Sequence, residues 1–153
     1  MRSIRRRKTG EIPPETEALL LECCRELNLC RSITAVRCNL STPMAIGLVH
    51  PVILLPDSIL SLPAEDMRMI LLHELTHLKR RDMERKLLLL FAACIHWFNP
   101  LVWLMLRCSG QDMEATCDDA VLARYPAEFK DRYCRLLLTV AGGSASPDSK
   151  FRK

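Results

Sequence analysis

The chain has 153 residues and a mass of 17.5 kDa, enough for one domain with a buried core. Hydrophobic residues at 49% and charged residues at 26% exclude a disordered or collagen-like chain, and aromatics at 5% leave little for stacking on nucleic-acid bases. The net charge of +4 is local: Arg2, Arg5, Arg6, Arg7 and Lys8 supply five of the 22 basic residues, and the remainder carries about −1.

Residues 1–14 end in Pro13-Pro14 and read as a basic tail, a solvated end or a juxtamembrane loop. They lack the apolar run and small-residue cleavage site of a secretory signal. The eight cysteines, none in a C-x-x-C pair, are therefore expected as reduced thiols on the cytoplasmic side, several packed as small apolar residues. No recognition motif backs the Arg-rich tail, so no direct nucleic-acid partner is expected.

Residues 15–29 place Ala18, Leu19, Leu21, Cys23, Leu27 and Leu29 at helical spacing. Residues 33–38 predict a short strand. Residues 43–56 (PMAIGLVHPVILLP) predict one or two strands with a break near His50-Pro51. Asp57 or Ser58 is expected to cap a short turn. Ser61-Leu-Pro63-Ala-Glu65-Asp66 opens the next helix with a polar cap, an early proline and an acidic first turn. The domain is expected over 15–140, with 1–14 as the tail and 141–153 as a flexible or truncated end.

The helix near Pro63 runs through MILLHELTHLKRRD and contains His73-Glu74-Leu75-Thr76-His77, a complete H-E-x-x-H. Spacing of i, i+4 puts both imidazoles on one helical face, able to grip one zinc ion. Glu74 lies beside them and can take a proton from water that the ion has acidified. A catalytic zinc site needs a third protein ligand. His50 and His96 each stand alone among apolar residues and suit a packed histidine better than a ligand. Glu114 and Asp118, also i, i+4, are the better source: one carboxylate can bind the metal, Glu114 first, and the other can orient a ligand histidine through its free ring N–H.

Residues 87–106 (LLLLFAACIHWFNPLVWLML) are twenty residues without a formal charge, long enough to span a bilayer. A straight crossing would carry the chain roughly 30 Å and leave His77 and Glu114 on opposite sides of the membrane. Asn99-Pro100 offers a turn instead, with asparagine as N-cap and proline at the first helical position. The expected form is a helical hairpin, one arm ending near Phe98 and the other running from Pro100 past Glu114. His77 lies 22 residues before Asn99 and Glu114 lies 15 after it. That mismatch of roughly 10 Å calls for a kink near Arg80–Asp82 or at Ser109-Gly110. The tip (Phe91, Trp97, Phe98, Trp103) would enter the membrane or meet transmembrane segments outside this sequence.

From about Leu29 to Leu138 these residues resemble the BlaR/MecR-type antirepressor metallopeptidases, a family of integral-membrane gluzincins. The resemblance rests on Pro43, Gly47 and Pro51-Val-Ile-Leu-Leu-Pro56, on His73-Glu-Leu-Thr-His77 followed by Lys-Arg-Arg-Asp82, on Trp97-Phe-Asn-Pro-Leu-Val-Trp103, and on Asp112-Met-Glu114-Ala-Thr-Cys-Asp118-Asp119. It implies zinc held by His73, His77 and Glu114, Glu74 as catalytic base, and a membrane protein whose protease site faces the cytoplasm. It also implies a protein substrate, in the family a transcriptional repressor removed after an extracellular signal such as a β-lactam. The sequence has no clear N-terminal transmembrane helices and no C-terminal sensor domain, as expected of a fragment of a longer reading frame.

The expected fold is α+β and mainly helical: a zincin-like metalloprotease core with a small β-sheet, the H-E-x-x-H helix and a hydrophobic helical hairpin. The expected function is zinc-dependent endopeptidase action on a repressor or on the protein itself, with Asp118 orienting a ligand histidine. Two rivals are a housekeeping membrane zinc protease and a non-catalytic signalling module stapled by zinc. The strand near Pro51–Leu55 is the expected edge for an extended substrate. His96, Tyr125, Tyr133 and Arg135 are candidate oxyanion donors that spacing alone does not separate.

Overall fold

The computed structural model describes residues 10–141, so expectations for residues 1–9 and 142–153 lie outside the described residues. Helix α1 covers Pro14–Glu26, with proline at the first position, where an N–H would have no partner. Strands β1 (Thr34–Cys38), β2 (Met44–Ile46) and β3 (Val52–Pro56) form one sheet in the order β1-β3-β2. β3 runs parallel to β1 and antiparallel to β2. Gly10 pairs with Arg37 of β1, so the chain just before α1 is tied to the sheet.

Residues 43–56 thus hold two strands separated by a turn that ends at Pro51. Gly47 adopts φ +96°, and a Cβ there would lie 2.5 Å from the His50 carbonyl oxygen, so this turn requires glycine. The sheet order corrects one expectation. β3 is central and paired on both sides, so Pro51–Leu55 cannot accept an added strand; the edge strand nearest the histidines is β2.

Helix α2 (Asp57–Leu60) starts directly from β3, and neither Asp57 nor Ser58 caps it; Asp57 pairs with Arg37 of β1 instead. Helix α3 (Ala64–Arg80) likewise has no side-chain cap, and Pro63 supplies its entry geometry. α3 is the centre of the molecule. Its Met69, Leu71, Leu72 and Leu75 are buried with Ile53 and Leu55 of β3 and with Leu20, Cys23 and Leu27 of α1.

Arg81 ends α3 in the left-handed conformation (φ 59°, ψ 40°), and helix α4 (Asp82–Ile95) starts at once in a new direction. Residues 96–99 connect α4 to helix α5 (Pro100–Leu122). The Asn99 side chain accepts from the Leu101 N–H at 3.0 Å, and the Trp103 indole donates to the Trp97 carbonyl at 2.9 Å. The apolar stretch 87–106 is therefore two helices lying against each other, not one straight segment. α5 continues unbroken through Ser109-Gly110. No helix among the described residues is long and apolar enough to cross a membrane. A 3-10 turn (Ala127–Phe129) leads into helix α6 (Lys130–Ala141), which sends Tyr133 and Leu136 into the core.

Candidate metal centre

His73 and His77 project from one face of α3, and their Nε2 atoms lie 3.2 Å apart. α5 crosses α3 with Met113, Cys117 and Val121 buried, which leaves Glu114 and Asp118 on the flank next to the histidines. Glu114 Oε2 lies 3.3 Å from His77 Nε2 and 3.8 Å from His73 Nε2. Three ligand atoms about 2.0–2.1 Å from a tetrahedral zinc stand about 3.3 Å from one another. Two sides of the observed triangle, 3.2 and 3.3 Å, match that spacing, and the third, 3.8 Å, is longer.

The outer nitrogens of both rings are engaged. His77 Nδ1 is 2.8 Å from Oδ2 of Asp82, which is almost fully buried. A carboxylate only accepts, so in the neutral ring the proton sits on Nδ1 and the lone pair on Nε2. His73 Nδ1 is 2.8 Å from the Tyr133 hydroxyl, which donates to Asp118 Oδ1 at 2.9 Å. The tyrosine oxygen is then free to accept from Nδ1–H, and His73 Nε2 also presents a lone pair. Burial, and secondarily the neighbouring His77, hold the His73 pKa below the ordinary histidine value. Burial and the Asp118 acceptor raise that of Tyr133, which keeps its hydroxyl a donor. Two nitrogen lone pairs and one carboxylate oxygen face a common point with no donor among them. A cation is what such a set lacks.

Cys117 forms a second possible grouping with the two histidines, all three ligand atoms lying within 4.8 Å of one another. Its Sγ is 3.8 Å from His73 Nδ1, on the outer side of the ring, and it donates to the His73 carbonyl at 3.3 Å. Burial pushes this thiol up to about 12, which keeps it protonated as a donor to that carbonyl. Cys117 therefore reads as a strut between α3 and α5.

Glu74 points into a cleft of about 380 Å³ shared with Pro43, Ile46, His73, His77 and Glu114. The Ala45 backbone hydrogen-bonds its carboxylate, but burial is the larger effect and raises its pKa above the usual glutamate value. That shift moves it toward the range of a general base. A further hollow of about 320 Å³, bounded by Thr42, Asp118 and Leu137, adjoins the other side of Glu74, so the cleft extends past the site in two directions.

His50 lies exposed in the turn after β2 and His96 lies exposed after α4; neither joins the cluster. Of the four oxyanion candidates, Tyr133 sits behind His73, Tyr125 packs on Phe129, Arg135 is exposed on α6 and His96 is at the α4–α5 turn. None lines the cleft beside Glu74. The roles of two residues escape sequence reasoning. Asp82 enters it as a possible kink site and in the Lys-Arg-Arg-Asp82 motif, although its place five positions after the second histidine was the available signal. Tyr133 enters it as an oxyanion candidate, and its contact with His73, 60 positions away, has no local signal.

An H-E-x-x-H helix facing a carboxylate across an open cleft is the arrangement of a metallopeptidase. The family model described as BlaR1 peptidase M56 matches residues 1–153, and the chain belongs to that metallopeptidase family. It is similar to the regulatory protein BlaR1 of Bacillus licheniformis, 34% identical over 125 residues, which cover 81% of this chain and 21% of that protein. It is also similar to the methicillin resistance mecR1 protein of Staphylococcus aureus (strain Mu50 / ATCC 700699), 34% identical over 85 residues, or 55% of this chain and 14% of that protein. The chain thus spans about a fifth or less of the length of these relatives. Among solved structures, the metallopeptidase zymogen of Pyrococcus abyssi abylysin aligns with a TM-score of 0.40 and 31% identity over 43% of this chain and 64% of that one. Membership of this family and the histidine cluster together assign the chain a metal cofactor.

Proposed function

We propose that the chain is the catalytic part of a zinc-dependent endopeptidase, with His73, His77 and Glu114 as ligands and Glu74 as base. The observation that carries this reading is the convergence of His73 Nε2, His77 Nε2 and Glu114 Oε2 within 3.2–3.8 Å, both rings held from behind by hydrogen bonds. When bound, zinc supplies Lewis acidity toward the scissile carbonyl and toward water. Glu74 takes the proton from the attacking water and returns it to the leaving amine as the C–N bond breaks. Asp82 fixes His77, and Asp118 fixes His73, both directly at 3.2 Å from Nδ1 and through Tyr133. A cleft that continues on both sides of Glu74 suits a substrate that extends past the cut in both directions, and β2 is the strand against which it can lie extended.

The proposed setting is the cell membrane, with the site on the cytoplasmic side and α4–α5 as a hydrophobic hairpin. In support, α4, α5 and the connection between them expose Leu88, Phe91, Trp97, Phe98 and Leu101, more apolar surface than a free face in water normally carries. The proposed substrate is a transcriptional repressor or the protein itself, cleaved in response to a signal. We likewise propose 15–140 as the functional unit.

The test is zinc content and cleavage of an unfolded reporter protein by wild type, Glu74→Gln and Glu114→Ala. Glu74→Gln should keep about one zinc per chain and lose cleavage by at least about a hundredfold. Glu114→Ala should lose cleavage and bind zinc much more weakly. Undiminished cleavage by Glu74→Gln would remove the base. A wild type that binds zinc without cleaving would favour the non-catalytic staple.

A further inference from the structure

The three proposed ligands are not held alike. Each histidine is backed by a carboxylate: Asp82 at 2.8 Å from His77 Nδ1, and Asp118 at 3.2 Å from His73 Nδ1 with Tyr133 touching both. Glu114 is about half exposed at its side chain, and among the described residues no fully buried group grips it. Its two oxygens are nonetheless separated by their surroundings. Oε2 faces the imidazoles at 3.3 and 3.8 Å, whereas Oε1 lies 3.4 Å from the ammonium of Lys86, which reaches across from α4. Lys86 lines the same cleft as His73, Glu74 and His77.

We propose that Lys86 is a positioning residue that holds Glu114 Oε1 and so presents Oε2 alone to the metal; this rests on the ligand assignment above. Two physical effects follow from that geometry. A long glutamate side chain that is otherwise free loses rotamer entropy on binding an ion, and a cation on its outer oxygen settles part of that loss in advance. An ammonium on Oε1 also disfavours bidentate binding, which would fill the position that water needs. Lys86 is four positions after Asp82, so one turn of α4 braces two ligands: Asp82 steadies His77 and Lys86 steadies Glu114. The helix break at Arg81 sets both.

The test is a zinc affinity cycle, read by competition with a chromogenic chelator, on the whole chain. The variants are Lys86→Met, Lys86→Arg, Glu114→Ala and the double variant Lys86→Met/Glu114→Ala. Lys86 is half exposed, so a loss of about fivefold is expected for Lys86→Met, with most of it restored in Lys86→Arg. In the Glu114→Ala background, Lys86→Met should change nothing further, since the residue it acts through is gone. Circular dichroism melts check that α4 is intact in each variant. An unchanged affinity in Lys86→Met, or the same loss with and without Glu114, overturns the role of Lys86. An unchanged affinity in Glu114→Ala overturns the ligand assignment and the Lys86 role together, so the two failures are distinct.

Discussion

Two helical regions of this chain are rich in large apolar residues and have opposite fates. On α3, Leu71, Leu72 and Leu75 are at most 1% exposed. On α4, α5 and the connection between them, Leu88, Phe91, Trp97 and Leu101 are each at least 65% exposed. The difference is one of partners. α3 is enclosed by the sheet, α1, α5 and α6, whereas the far ends of α4 and α5 touch mainly each other. Hydrophobicity alone does not tell a core from a surface waiting to be covered. The site sits at the boundary between the two regions, where the rigid helix supplies the histidines and the arm supplies Asp82, Lys86 and Glu114.

The contrast should appear most strongly in thiol chemistry. Cys23 and Cys117 lie in the enclosed half, and burial pushes each thiol up to about 12. An ordinary thiol titrates near 8.5, so at pH 7.5 the thiolate fraction of these two is lower by roughly three orders of magnitude. Cys94 and Cys108 are exposed on the arm. Iodoacetamide followed by mass spectrometry should label Cys94 and Cys108 at least about a hundredfold faster than Cys23 and Cys117. Raising the pH from 7 to 9 should not close the gap, because both values remain below 12. Equal rates would mean that the core around α3 opens freely.

Stability should divide along the same line. Leu71→Ala removes a fully enclosed side chain and should cost about 2–5 kcal/mol in urea denaturation. Leu88→Ala trims an exposed one and should stay within about 0.5 kcal/mol in water. In the presence of lipid vesicles the second substitution should instead weaken association, because there its side chain gains a place to be buried.

What could be read from the sequence was local. The i, i+4 histidines, the Asn99-Pro100 helix start and the two strands before and after Pro51 depend on neighbours a few residues away. The central place of β3 did not follow from its own residues, because β1 reaches it only by pairing Thr34 with Val52 and its parallel successors. The outer support of the histidines was half legible. Asp118 is singled out by its spacing to Glu114 and stands 3.2 Å from His73 Nδ1, but the tyrosine that touches both comes from α6. Asp82 required knowing that the helix breaks. On an unbroken helix, residues five apart point about 140° from each other, and Asp82 could not reach His77.

That break turns on one residue and gives a small predicted effect. Arg81 is not glycine, yet it holds φ 59° and ψ 40°, a conformation that costs a side chain with a Cβ about 1 kcal/mol. Its own ion pair, with Glu84 at 3.9 Å, is exposed and contributes little. Arg81→Gly should therefore raise stability by about 0.5–1 kcal/mol, less a small loss from the unfolded chain's added freedom. Zinc affinity should stay within about twofold, because the Asp82–His77 bond needs the turn and not the arginine. Arg81→Val tests the same point from the other side: a β-branched residue resists the left-handed region, so it should lower stability and weaken zinc binding together. If Arg81→Val lowers stability but leaves zinc binding unmoved, the turn is not what delivers Asp82 to His77, and the two regions are coupled at the metal by the α3–α5 crossing alone.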